Sequence, residues 1–216
     1  MNRKEKMRIL LKFIKKRYNT ENYFARNKFR LLVSTILSQR TRDENTAVAA
    51  ERLFRRAKTP TDIIKLKNKE LEQLVYSSGF YKQKARRIKV VCSILIERYD
   101  GKVPKKREEL LSLPGVGYKT ADIVLSYGYR VPTIAVDTHV NRIPKRIGLI
   151  DEKANVEEVR KELEELTEKA DRFIVNLGLI QFGREFCKPV KPSCNLCPIS
   201  RICSYYKIFK QANHIY

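Results

Sequence analysis

Apolar residues recur along most of this chain at intervals of three and four, the period of a helix with one buried face. Met7, Leu10, Leu11 and Ile14 set this spacing first, and Phe29, Leu32, Val33, Ile36 and Leu37 repeat it. Thr41 with Glu44 has the form of a capping box opening a further helix through Ala47, Ala50, Leu53 and Phe54. Pro60 begins a short helix, and residues 68–77 form another. Ile88, Val91, Cys92 and Leu95 line a helix that reaches Tyr99 and is ended by Asp100-Gly101. A short helix over 108–113 runs into Pro114-Gly115-Val116-Gly117, after which helix resumes over 118–127. Residues 131–136 read as extended and apolar. Helices are then expected over 138–147, from Val156 to Leu166 behind an Asn155 cap, and over 173–182. No strict two-residue alternation is long enough for a sheet, so the predicted class is all-α.

Composition adds a partner. Lys and Arg number 46 against 24 acidic residues, a net charge of +22. An excess this large on an ordered chain favours a polyanion, and nucleic acid over membrane, because no polybasic tract sits beside an apolar anchor. No apolar run approaches the roughly 20 residues that span a bilayer. The charged N-terminus leads into an amphipathic helix rather than a signal-peptide core, so the expected location is cytoplasmic, at the nucleoid in a prokaryote. The abundance of Lys, Arg and Glu, with two Met and no Trp, fits a heat-adapted source. A chain of 216 residues makes one large domain or two small lobes.

Five cysteines are present, and Cys92 falls on an apolar stripe as a small buried thiol. Cys187, Cys194, Cys197 and Cys203 instead follow C-x6-C-x2-C-x5-C within 17 residues, with Pro189, Pro192 and Pro198 keeping long helix out. Two disulfides are disfavoured in an intracellular chain of this size, whereas four thiolates on a tight loop suit a metal centre. Spacing leaves zinc and an iron–sulfur cluster both open.

The Pro-Gly-Val-Gly turn is a tight helix–helix connection whose N–H groups can also receive a phosphate. Lys119, two residues beyond it, sits where the positive end of a helix favours the neutral, nucleophilic amine. Asp122, three residues on, is placed to pair with that amine and hold it protonated. Asp137 follows the apolar run Thr133-Ile134-Ala135-Val136; it reads as a helix N-cap that can also face a cleft, and His139 reads as structural.

Taken together, Leu113-Pro-Gly-Val-Gly-Tyr-Lys-Thr-Ala121, Pro132-Thr-Ile-Ala-Val-Asp-Thr-His139 and the four-cysteine loop resemble the endonuclease III family of helix–hairpin–helix DNA glycosylases, from about Phe29 to Tyr205. The resemblance implies two helical lobes with a DNA-binding groove between them. Residues 23–133 would form a six-helix lobe; 1–22 with 134–216 would form the second, carrying the cysteine loop 187–203. It decides the metal as a [4Fe–4S] cluster, zinc being the lesser alternative, with Lys188, Lys191 and Arg201 presented to DNA. It implies a monomer acting on duplex DNA with damaged bases or abasic sites. Lys119 and Asp137 would be catalytic. Gly115 and Gly117 would grip the backbone, Phe80 would fill the stack vacated by a flipped base, and Gln39 and Arg40 would lie opposite the lesion. Arg40 stands where the family usually has Gln, Asp122 where it has Asn, and Tyr118 where a basic residue is frequent. Oxidised pyrimidines are the expected lesions. The other readings are a monofunctional enzyme for thymine or uracil opposite guanine, and a non-catalytic DNA-binding or electron-transfer protein.

Overall fold

The computed structural model describes residues 1–19 and 24–212, and among these it is all-α, as the periodicity predicts. The chain divides into two compact units, Phe24–Val131, and Met1–Tyr23 with Pro132–Tyr216.

In the unit Phe24–Val131, α2 (Lys28–Ser38) packs on α3 (Asp43–Arg56), and α4 (Pro60–Lys65) and α5 (Asn68–Leu74) lie against the long α6 (Tyr81–Tyr99). The predicted 68–77 helix stops at Leu74 and continues as a 3-10 turn, Tyr76–Ser78. The short α7 (Arg107–Leu111) precedes α8 (Tyr118–Ile123), which widens into a π-helical turn, Val124–Gly128. Leu32, Ile36, Leu53, Ile88, Val91 and Leu95 are fully buried in one core, each such side chain contributing about 1.5–3 kcal/mol.

The Thr41–Glu44 capping box does not form. α3 opens at Asp43 behind Arg42, with no side-chain cap; the Thr41 hydroxyl oxygen accepts from the Lys84 ammonium instead, and its proton goes to the Ser78 carbonyl. The loop has a tertiary use for that hydroxyl, and it outweighs a local cap worth about 1 kcal/mol.

In the second unit, α1 (Arg3–Arg17) carries Met7, Leu10 and Ile14, all fully buried, against α11 (Arg172–Glu185). The chain enters α9 (Thr138–Ile147) from an apolar stretch in which Ile134 and Val136 are buried. α10 (Val156–Leu166) opens with the Asn155 cap read from the sequence, completed by Glu158 as a capping box. α12 (Ser204–Ala212) follows the cysteine loop and packs on α9. No described helix is long and apolar enough to cross a membrane.

Candidate functional site

The hairpin is anchored by the buried side chains of Leu113 and Val116, and the Val116 amide donates to the Leu113 carbonyl at 3.0 Å. Gly115 takes φ +81°, a left-handed value that favours glycine. Gly117 differs: it is extended and exposed, and an added Cβ would meet nothing within 4 Å. The protein's own packing therefore does not require glycine at 117.

Lys119 is exposed on the first turn of α8, and none of the described residues pairs with its amine. The expected pairing with Asp122 is corrected. Asp122 is 1 % exposed and accepts from Arg107, Nε to Oδ1 at 2.8 Å and Nη2 to Oδ2 at 2.9 Å. A planar guanidinium fork matches a buried carboxylate with two parallel bonds, where a lone ammonium offers a point charge. The same guanidinium lies 4.8 Å over the Tyr118 ring, so Tyr118 has a partner inside the hairpin.

Gln39 leaves the end of α2 and donates its side-chain amide to the Gly115 carbonyl at 2.7 Å. The turn after α2 is thereby tied to the hairpin. Its neighbour Arg40 has φ +54° and holds its guanidinium 4.9 Å over the ring of Phe80. Phe80, with φ +47°, is 56 % exposed and so is no core aromatic.

Beneath this pair lies Lys84, which the sequence reading passed over. It is 3 % exposed and donates to the Leu37 carbonyl at 2.7 Å, the Thr41 hydroxyl at 2.6 Å and the Ser78 carbonyl at 2.6 Å. Burial pushes its amine down to about 8, and the three oxygens oppose that by favouring the charged form. One signal was available in the sequence. Lys84 sits one turn before Ile88 and extends the apolar stripe of Ile88, Val91, Cys92 and Leu95. A lysine aligned with such a stripe is a candidate for burial.

In the other unit, the extended run is held by Glu164, which accepts from the Thr133 hydroxyl and the Ile134 amide, and by the Asn176 amide on the Ala135 carbonyl. Asp137 then caps α9. Both cap bonds, from the His139 and Val140 amides at 2.8 and 2.9 Å, fall on Oδ1, so Oδ2 takes no part in the cap. His139 packs so close to Gly183 that a Cβ there would collide with its ring, the structural role expected of it.

α9 also holds the cysteine loop. Arg142 donates to the Cys187 carbonyl at 2.9 Å, and Arg146 to the carbonyls of Lys188 and Pro189 at 2.7 and 2.8 Å. Cys187, Cys194, Cys197 and Cys203 line one small apolar cavity with Ile143 and Phe182. Burial pushes the Cys197 thiol up to about 11. It also raises Cys194, helped by the neighbouring Cys203 and Cys187. Among the described residues, no three His, Cys, Asp or Glu side chains converge closely enough to hold a single metal ion. Lys188, Lys191 and Arg201 are exposed on the loop.

The chain is similar to known proteins over most of its length. The family model for HhH-GPD superfamily base excision DNA repair proteins matches residues 33–169. The chain is 45% identical to endonuclease III of Thermotoga maritima over 186 residues, covering 86% of this chain and 87% of that one. It is 41% identical to endonuclease III of Bacillus subtilis, covering 82% and 81%. A solved structure of a trapped endonuclease III–DNA covalent intermediate superposes with a TM-score of 0.89 at 39% identity, covering 97% of this chain and all of that one. A thermostable thymine-DNA glycosylase superposes at 0.85 with 28% identity, covering 95% and 97%.

Proposed function

Because the chain belongs to the HhH-GPD superfamily of base excision DNA repair proteins, within its endonuclease III family, we propose that it acts on duplex DNA with Lys119 as the nucleophile of a bifunctional glycosylase and abasic-site lyase. The carrying observation is the Lys119 amine itself. It is exposed beside the hairpin glycines, with the nearby carboxylate of Asp122 engaged by Arg107.

A damaged base inside a duplex is out of reach, so its nucleotide must be flipped out of the stack. The neutral Lys119 amine then attacks C1′ of the sugar. The glycosidic bond breaks and the base leaves with a proton. Ring opening gives a Schiff base between Lys119 and C1′. Loss of a C2′ proton drives β-elimination, which breaks the C3′–O bond and cuts the strand 3′ to the lesion. Water releases the sugar and restores the amine. Asp137 assists the proton transfers and stabilises the cationic sugar through Oδ2, the oxygen outside the helix cap.

Gly115 and Gly117 let the DNA backbone approach the hairpin amides. Phe80 enters the gap in the stack, with Arg40 opposite the lesion and Gln39 bracing the hairpin behind them. Oxidised pyrimidines are the substrates, and the protein works as a monomer where cytoplasmic DNA lies. The four cysteines hold a [4Fe–4S] cluster. A thiolate-only donor set around one apolar cavity suits such a cluster, whose irons are held by cysteine sulfur. The cluster, when bound, fixes the loop that presents Lys188, Lys191 and Arg201 to phosphates.

The test is a panel of duplexes carrying thymine glycol, an abasic site or a G·T mismatch, each treated with borohydride. A covalent adduct on the first two supports the proposal. Base release from G·T with no adduct would point to the mismatch enzyme, and binding without reaction to a non-catalytic protein. Iron analysis should return about four irons per chain with a visible absorption band, and Cys194→Ser should lose both.

Gly117→Ala separates grip from fold. Its melting temperature should match wild type, since the added methyl meets no protein atom. Affinity for any duplex should fall about tenfold, a loss of about 1.4 kcal/mol. Thermal melting checks the first, and titration at several salt concentrations checks the second, the slope being roughly −0.9 per phosphate contacted. A wild-type affinity would remove the hairpin from the interface.

A further inference from the structure

No step of the proposed reaction uses the amine of Lys84, yet among the described residues it is the only lysine or arginine that is buried. A buried cation is strongly destabilising unless its donors are satisfied. Here three N–H donors meet three acceptors at 2.6–2.7 Å, and each acceptor belongs to a different segment: the last turn of α2 at Leu37, the turn before α3 at Thr41, and the 3-10 turn at Ser78. Thr41 also donates to the Ser78 carbonyl, closing the network.

Beside the Thr41 and Ser78 anchor points the backbone is unusual. Arg40, Gly79 and Phe80 all have left-handed φ, +54°, +61° and +47°. For the two non-glycine residues this conformation is strained, and such strain persists only where the surroundings over-determine it. Both residues present exposed side chains, and these stack on one another at 4.9 Å. An exposed, strained, prestacked pair over a fully bonded buried ammonium is costly as packing alone. It is well suited to entering another molecule without reordering.

We propose that Lys84 is a positioning residue for lesion recognition: its ammonium joins the 38–41 turn to the 78–80 turn, so that Arg40 and Phe80 enter a damaged duplex as one rigid wedge. This rests on the reading that these two residues insert into DNA. Lys84 itself touches no nucleotide and acts through the wedge.

The test is a double-mutant cycle on the full chain with Lys84→Met, Phe80→Ala and the pair together. Binding is measured to a duplex holding a tetrahydrofuran abasic analogue and to the undamaged duplex. Lys84→Met should weaken binding to the analogue about tenfold, the scale of a small misplacement, with less than about twofold change on undamaged DNA. The double variant should bind the analogue no worse than Phe80→Ala alone. Additive losses, equal losses on both duplexes, or no loss would each overturn the proposal. Wild-type protein that binds both duplexes alike would overturn the insertion reading and the proposal with it. Should Lys84→Met fail to melt cooperatively, Thr41→Val removes a single acceptor and should give the same selective loss at about threefold; equal weakening on both duplexes there would count against a positioning role.

Discussion

Lys119→Ala is expected to abolish the borohydride-trapped adduct on abasic DNA and to lower lesion-strand cleavage by at least about 10³-fold. The melting temperature should not change, because the side chain is exposed and bonds to none of the described residues. Binding to the abasic analogue should stay within about threefold of wild type, since one exposed charge contributes little beside a full set of phosphate contacts. That combination of unchanged fold, near-unchanged binding and lost covalent chemistry is the signature of a nucleophile. Gel analysis of the trapped complex, with melting and titration of the same preparation, supplies all three readings. If the adduct persists in the alanine variant, another amine forms the Schiff base and Lys119 is not the nucleophile.

The second large effect is on stability. Asp122→Ala should destabilise the protein by about 3 kcal/mol, because it strands the largely buried Arg107 guanidinium without its carboxylate. For a chain this size that is a fall in melting temperature of roughly 10 °C. Asp122→Asn, which keeps the shape and one acceptor, should lose less. Its adduct-forming rate at a temperature where it is folded should equal wild type, since Asp122 faces Arg107 and not the Lys119 amine. A clear change in that rate, or in its pH profile, would show that the carboxylate governs the lysine after all. Removing both partners, as Arg107→Met with Asp122→Leu, should recover much of the loss, because a well-packed apolar pair can replace a buried ion pair.

Much of the fold was legible in the sequence because its signals are local. A helix face is written within four residues, and the stripes of α1, α2 and α6 all appear in the cores of their units. The Asn155 cap was readable for the same reason, since both halves of its capping box lie within one turn. The hairpin and the four cysteines announced themselves by spacing, and the cysteines do line one cavity. Thr41 shows the limit. Its pattern is that of a cap, but its hydroxyl is used by Ser78 and Lys84, distant in sequence.

The sequence by itself determined the helical class, the helix stripes, the basic surface and the short motifs, because each depends on residues within a turn or a tight loop. Only the tertiary structure decided the partners of individual polar groups: Asp122 with Arg107 rather than Lys119, Gln39 on the Gly115 carbonyl, and Lys84 at the junction of three segments. Several donors within reach compete for each such acceptor. The winner is set by which segments the chain path brings together and how deeply they are buried, and neither quantity is written in local spacing.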